Sequence, residues 1–296
     1  MKPAAGDGSA GPKPSWLKKP LPEAASLRRM EALLRERGLH TVCESASCPN
    51  LGECFGKGTA TFLILGDVCT RDCGFCGVTS AVPGAVDPEE PGRVAEAAAQ
   101  LALRHVVITS VTRDDLADGG AGHYAATIRA VRAALPAAAI EVLVPDFGGN
   151  AADIGLVLTE RPDVFNHNVE TVPRLYRRVR PQADYARSLA VLQRASQHDD
   201  SVVKTGLMVG LGEQPEEVSE VLSDVHSVGV QVVTIGQYLR PSAHHLPVVE
   251  YVEPRMFALY QERGEALGLQ VHAAPFVRSS FQAGESFAQA RLWSGQ

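Results

Sequence analysis

All six cysteines of this 296-residue chain fall between Cys43 and Cys76. They form two groups of three: Cys43, Cys48 and Cys54 at C-x4-C-x5-C, and Cys69, Cys73 and Cys76 at C-x3-C-x2-C. Four chemistries use cysteine at short spacing. A disulfide framework suits small exported domains, whereas this N-terminus, MKPAAGDGSAGPKPSWLKKP, has no apolar signal core and the chain is long enough to bury a large one. Structural zinc takes a closed set of four ligands, so each triplet is one short. A thioredoxin-like dithiol at Cys73–Gly74–Phe75–Cys76 leaves four cysteines unused. Two cuboidal iron–sulfur clusters would use all six, each keeping one iron open for substrate or cofactor.

The elements that must position these thiols are legible beyond Cys76. Strand-like runs recur at 105–110, 140–145, 163–170, 202–211 and 230–238, with TATFLILG (59–66) ahead of the second triplet. Ala/Leu/Arg-rich helical stretches fill 89–104, 122–135, 150–160, 184–198, 214–228 and 254–267, and a first helix is expected over Ala25–Gly38. The strands are continuous apolar runs, as in parallel sheets covered on both faces. Six strand–helix units predict an α/β fold, a partial (β/α)6 TIM-type barrel. Polar residues gather at the strands' C-terminal ends, where barrels do chemistry: Thr109, Ser110, Asp146, Asn166, His167, Asn168, Glu170, Gln237 and Arg240. Gly206, Gly210 and Gly212 do not make a dinucleotide fingerprint and predict close packing at a strand end. His244 and His245 have no partner spacing and predict loop residues.

Bulk properties narrow the function. Hydrophobic content of 45% with 21% charged residues is ordinary for a globular chain, and a net charge of −6 argues against a general nucleic-acid binder. No apolar run is long enough to span a membrane. The expected setting is the reducing cytoplasm, where clustered cysteines hold metals. Residues 1–24 are expected to form a flexible tail, 25–58 a helix and the first cysteine region, 59–272 the barrel, and 273–296 a C-terminal segment.

C-x3-C-x2-C after a strand, with Phe75 before the last cysteine, resembles the radical S-adenosylmethionine superfamily. CESASCPNLGEC followed by GTATFLILGDVCTRDCGFC narrows the resemblance to the lipoyl synthases. So do TSVTRDDLADGGAGHY, FNHNVETVPRLYRRVRP, KTGLMVGLGE, IGQYLRPSAHHLPV and PFVRSSF, from about Trp16 to Gln282. Phe55 and Phe281 stand where that family usually has Trp and Tyr. The resemblance implies two 4Fe–4S clusters: a radical-generating one on Cys69, Cys73 and Cys76, and an auxiliary one on Cys43, Cys48, Cys54 and Ser279, borne on the N- and C-terminal extensions. It implies two S-adenosylmethionine per lipoyl group, with sulfur drawn from the auxiliary cluster and inserted at C6 and C8 of an octanoyl chain. That chain would be carried on a lysine of a lipoyl domain, in an E2 subunit or the glycine-cleavage H protein. Alkane carbons have no proton that a side-chain base can remove, so a radical route is required. A flavodoxin or ferredoxin would supply electrons, and an iron–sulfur carrier would rebuild the consumed cluster.

Cofactor contacts are expected from Phe75, Thr109, Ser110, Asp114, Asn168 and Glu170, although Asp114, Asp115 and Asp118 also fit turn and capping roles. Arg174, Arg177, Arg178 and Arg180 crowd into one stretch of an acidic chain, and Arg177 and Arg178 are expected to steer an acidic carrier domain. The rival readings are another sulfur-inserting enzyme of the superfamily, biotin synthase-like or methylthiotransferase-like, and a non-catalytic iron–sulfur electron carrier. The carrier would have no need of six strand–helix units.

Overall fold

A computed structural model describes residues 11–18, 32–41, 50, 60–198, 200–280 and 283–293. Its centre is one eight-stranded sheet in which spatial order follows chain order. The strands are β1 (His40–Thr41), β2 (Ala60–Ile64), β3 (His105–Ser110), β4 (Ala139–Leu143), β5 (Val164–Asn166), β6 (Val202–Val209), β7 (Val232–Gln237) and β8 (Gln270–Ala273). β1 pairs antiparallel with β2, and every later pairing is parallel. Parallel neighbours need a crossover, and helices supply it: α1 (Glu90–Gln100), α2 (Ala121–Ala134), α3 (Ala151–Thr159), α4 (Tyr176–Val179) with α5 (Tyr185–Ser196), α6 (Pro215–Ser227) and α7 (Pro254–Ala266).

The helix starts are written in the sequence. Asn150 and Asp184 cap α3 and α5, accepting from the N–H of Ala152 and Arg187. Gln214 and Glu217 form a reciprocal capping box on α6. Each helix turns an apolar stripe to the sheet: Val94, Ala97 and Ala98 from α1, Val191, Leu192 and Ala195 from α5, Val218, Val221, Leu222 and Val225 from α6. They meet outward strand residues such as Val106, Ile108, Ile140 and Ile235 in one core, each buried Val, Leu or Ile contributing about 1.5–3 kcal/mol. The large helices touch one another in chain order, which wraps them around one face of the sheet and curls it. Among the described residues β1 and β8, the two ends of the sheet, do not pair with each other, so the barrel is partial.

The inner face carries a second, smaller cluster. Val164, Val202 and Val232, the first residues of β5, β6 and β7, pack on Ala290 and Phe287 of a C-terminal helix, α8 (Ala283–Trp293). α8 also contacts β3, and His105 faces the ring of Phe287. A helix that meets the first residues of strands across the curl closes the N-terminal end of the barrel. Just above it the lining is polar: Lys204 Nζ lies 2.9 Å from Glu141 Oε1, and His105 Nε2 3.2 Å from Glu141 Oε2, all deeply buried.

The six expected strand–helix units are present with their expected order. β8 is a seventh parallel strand, within a stretch that the sequence reading left without one. α8 was likewise not expected. Of the helix expected over 25–38, residues 32–36 are helical and Gly38 takes φ +57°, while residues 25–31 lie outside the described residues. Among the described residues no helix is long and apolar enough to cross a membrane.

Candidate active site at the strand C-terminal ends

Parallel strands end on one edge, so the loops that follow them converge there. The loop after β2 carries Cys69, Cys73 and Cys76, and four ties hold it. Arg71, 7% exposed, reaches Asp114 with Nε and Nη2 at 2.8 Å each and Asp146 with Nη1 and Nη2 at 3.0 and 2.7 Å. Burial opposes the charge on Arg71, but these two carboxylates win and keep it ionised. Burial likewise acts to raise the pKa of Asp146, yet Arg71's hydrogen bonds and charge hold it at about 2. Gly74 is gripped on both sides, its N–H on Val179 O at 2.9 Å and its carbonyl taking Leu246 N–H at 2.9 Å. A Cβ on Gly74 would meet Leu246 Cγ at 2.9 Å, so any larger residue at 74 would force Leu246 to shift. Thr70 donates to Thr112 O at 3.0 Å, and His245 Nε2 sits 2.8 Å from the carbonyl of Cys76.

The three thiols are free and half-buried. Burial pushes Cys73 up to about 12, with Arg180 acting against it, and Cys76 to about 11. Such thiols give up their protons to a metal rather than to water. Cys69 Sγ already accepts the N–H groups of Arg71 at 3.4 Å and Thr112 at 3.3 Å, a polarity suited to a thiolate. Among the described residues no three His, Cys, Asp or Glu side chains are placed to hold one metal ion. The charges of Cys69 and Cys76 both act on Cys73, so the three thiols are neighbours, and a cluster takes each thiolate on a different iron.

Opposite the loop, the chain after β8 turns into the barrel mouth. Ala274 N–H bonds Ile235 O at 3.1 Å, and Pro275 O accepts from Gln237 N–H at 3.2 Å. Gly236 lets it pass: a Cβ there would lie 2.1 Å from Val277 O. Ser279 then lies against Gly206, where a Cβ would meet Ser279 Oγ and Asn168 Oδ1 at 2.6 Å each. Ser279 Oγ donates to Asn168 Oδ1 at 2.9 Å, and Asn168 Nδ2 donates to Glu170 Oε1 at 3.0 Å. Glu170 holds φ +63° and bridges to β6, its N–H on Gly206 O and its carbonyl taking Met208 N–H. Burial raises its pKa, against the pull of Arg180. Arg180 donates Nη1 to Asn168 O at 2.8 Å and lies 5.4 Å from the Tyr176 ring, while its buried Nε has no hydrogen-bond partner among the described residues.

The other expected contacts are spread along this edge. Thr109 Oγ donates to Leu143 O at 2.9 Å, and Ser110 ends β3 beside it. Phe75 packs partly against the core. Asp114 is engaged by Arg71 and Thr70. Asp115 pairs with Arg113, and Asp118 accepts from the N–H of Gly120 and Gly122 at the start of α2. Gln237 ties Val209, Tyr238, Glu250 and Val252 together inside the wall. Gly210 takes φ +103° against Gln237, as close packing demands.

The arginine run is divided by its short helix. Arg174 binds Glu217, Arg180 is buried in the site, and Arg177 and Arg178 stay exposed. His245 was expected as a plain loop residue, and the structure gives it Cys76. Arg71 has no signal in the sequence because a single arginine in a spacer has no spacing pattern, and Arg180 is hidden there among the arginines of the run. Cys43, Cys48, Cys54, Phe55 and Phe281 lie outside the described residues.

Comparison with known proteins supplies a frame for this geometry. Residues 63–225, more than half of the chain, match the Radical SAM superfamily. The chain is 54% identical to a lipoyl synthase of Caldanaerobacter subterraneus subsp. tengcongensis over 94% of its own length and 98% of that protein. It is 52% identical to a lipoyl synthase of Rubrobacter xylanophilus, covering 94% and 88%. Among solved structures, methylornithine synthase superposes with a TM-score of 0.53 at 12% identity, covering 93% of this chain and 90% of that one, a likeness of fold.

Proposed function

The chain belongs to the lipoyl synthase family of the Radical SAM superfamily, and from that we propose which of its residues perform lipoyl synthesis and on what. It is a radical S-adenosylmethionine enzyme that inserts sulfur, with two 4Fe–4S clusters. Its substrate is an octanoyl group on a lysine of a lipoyl carrier domain, thiolated at C6 and C8. When bound, a reduced 4Fe–4S cluster and S-adenosylmethionine supply the carbon radical that removes hydrogen from unactivated carbon, and a second 4Fe–4S cluster supplies the sulfur.

Cys69, Cys73 and Cys76 hold the radical-generating cluster. Arg71 and Gly74 keep the three sulfurs on a fixed loop. Glu170 and Asn168, with Thr109, Ser110, Asp114 and Phe75 along the same edge, orient the cofactor. Arg180 keeps a positive charge beside Cys73 and Glu170, which suits an anionic cluster and a cofactor carboxylate. Cys43, Cys48, Cys54 and Ser279 hold the auxiliary cluster. The hydrogen bond from Ser279 to Asn168 supports this most: it brings a residue near the C-terminus into the barrel mouth, beside the groups assigned to the cofactor.

Within 1–24, Ser15–Leu17 forms a 3-10 turn with Leu17 buried; the rest of the layout expected from sequence is kept as part of this reading, with 25–58 the helix and first cysteine region, 59–272 the barrel and 273–296 the segment that brings Ser279 in. Arg177 and Arg178 sit beside the cysteine loop and receive the carrier domain of an E2 subunit or the H protein. Flavodoxin or ferredoxin reduces the enzyme in the cytoplasm, and an iron–sulfur carrier restores the auxiliary cluster. Mass spectrometry of an octanoylated lipoyl-domain peptide after anaerobic incubation with cofactor and reductant tests the reading. Two sulfur atoms should be gained, with 5′-deoxyadenosine released. Cofactor cleavage without any sulfur gain would point to another enzyme of the superfamily, and no cleavage to an electron carrier.

A further inference from the structure

The loop after β7 meets the cysteine loop at Gly74 and Cys76. Its shape is fixed by its own bonds. Tyr238 Oη donates to Leu246 O at 2.7 Å, and Arg240 Nε donates to His245 O at 2.8 Å while its Nη2 reaches Ala243 O. Held this way, the loop lays Leu246 on Gly74 and His245 on Cys76. A carbonyl oxygen can only accept, so His245 Nε2 carries the proton that meets Cys76 O. Nδ1 of the neutral ring is then an acceptor, and Ser242 Oγ lies 2.8 Å from it as donor. Ser242 Oγ itself takes the N–H of His244 at 3.3 Å. The tautomer and the ring direction are both set before any cofactor arrives.

Cys76 has two other ties within its turn, its N–H on Cys73 O at 3.0 Å and its Sγ taking the backbone N–H of Val78. A rotation of the Cys76 peptide would swing its Sγ, and only His245 restrains the carbonyl side among the bonds the described residues show. We propose that His245 is a positioning residue for Cys76: its Nε2–H, aimed by Ser242, holds the third thiolate in place and so governs how firmly the radical-generating cluster is retained and at what potential it accepts an electron. Groups that orient metal ligands commonly change metal affinity by about 10–100-fold when removed, and hydrogen bonding and solvent access tune cluster potentials. The proposal rests on the assignment of Cys69, Cys73 and Cys76 as cluster ligands.

The test uses the full chain reconstituted anaerobically. One cluster's electron paramagnetic resonance signal is identified by its shift on adding S-adenosylmethionine. For that signal, the rate of loss to an iron chelator and the midpoint potential are measured. His245→Ala should lose it about 10–100-fold faster, with a displaced potential. His245→Gln, whose terminal amide can put an N–H where Nε2 stood, should recover most of both, and Ser242→Ala should fall between. Equal retention and potential in His245→Ala and the parent would overturn the proposal. So would a His245→Gln chain as impaired as His245→Ala, since the packing of the ring rather than its N–H would then matter. Cys73→Ala separates the two levels. If it keeps the cofactor-responsive signal, the ligand assignment is wrong whatever His245 does; if it loses the signal, the His245 series judges the proposal alone.

Discussion

Ser279 and Ser280 are adjacent, chemically identical and both half-buried. Ser279 Oγ donates to Asn168 Oδ1 beside Gly206, in the mouth. A hydroxyl is a harder ligand than a thiolate and leaves iron more readily, which suits a cluster that must open to release sulfur. Ser279→Ala should still cleave S-adenosylmethionine but form little lipoyl product, while Ser280→Ala should be mild. Measuring 5′-deoxyadenosine and lipoyl-peptide from the same reaction decides it, and normal sulfur insertion in Ser279→Ala would remove Ser279 as a ligand. Arg71 carries a second prediction at this scale. Asp146 is fully buried, so removing its main cation leaves an ion uncompensated except for Arg187 at 3.3 Å. Arg71→Met should cost about 3 kcal/mol in urea unfolding and lower the iron bound. Arg71→Lys should recover little, because a single ammonium cannot span both carboxylates.

Two short elements make their own predictions. The strand-following segment 274–280 passes Gly236 so closely that a methyl there meets backbone, which cannot rotate away. Gly236→Ala should therefore lift the segment and reproduce the Ser279→Ala behaviour, cleavage outlasting sulfur insertion. A variant with parental product yield would show that Ser279 does not depend on this path. The segment 173–180 offers Arg177 and Arg178 beside the cysteine loop, since Val179 O holds Gly74 N–H. Reversing both charges should raise the Michaelis constant for a whole carrier domain, more so at low salt, and do little for a short octanoyl-lysine peptide. Equal effects on both substrates would argue against docking there.

At the scale of the molecule, stability should fall with acid in two windows. His167 is buried neutral, with Nδ1 on Val144 O and Nε2 on Ser188 Oγ, and burial pulls its pKa from 6.5 to about 4. The unfolded chain takes up that proton first, so stability declines as pH drops from 6.5 toward 4, by about 3 kcal/mol at most. Glu141 and Asp146 are buried carboxylates held at about 2 by Lys204 and Arg71. Their contributions are full above the ordinary carboxylate range and are lost as pH falls toward 2. Urea midpoints across pH should show both declines. His167→Gln should shrink the upper one, leaving the share of His272, whose pKa burial also lowers, and an unchanged upper window would mean that His167 is not its source.

The sequence by itself determined the repeating units, the two cysteine triplets and the edge on which the polar residues lie. These are local matters: apolar periodicity, capping residues such as Asn150 and Asp184, and spacing between ligands are all read within a few residues of one another. Tertiary structure alone decided which of those residues meet. Ser279 reaches Asn168 because two glycines on different strands clear a path, and His245 reaches Cys76 because the loop after β7 folds over the loop after β2. Arg180 left an expected surface patch for the interior because a helix of only four residues, α4, ends before it. β8 escaped notice because QVHA alternates polar with apolar residues, unlike the solid apolar runs of its neighbours: its inner face meets the polar lining around Lys204. Contacts between segments far apart in the chain depend on how parallel strands bring their ends together, and no periodicity within either segment records that meeting.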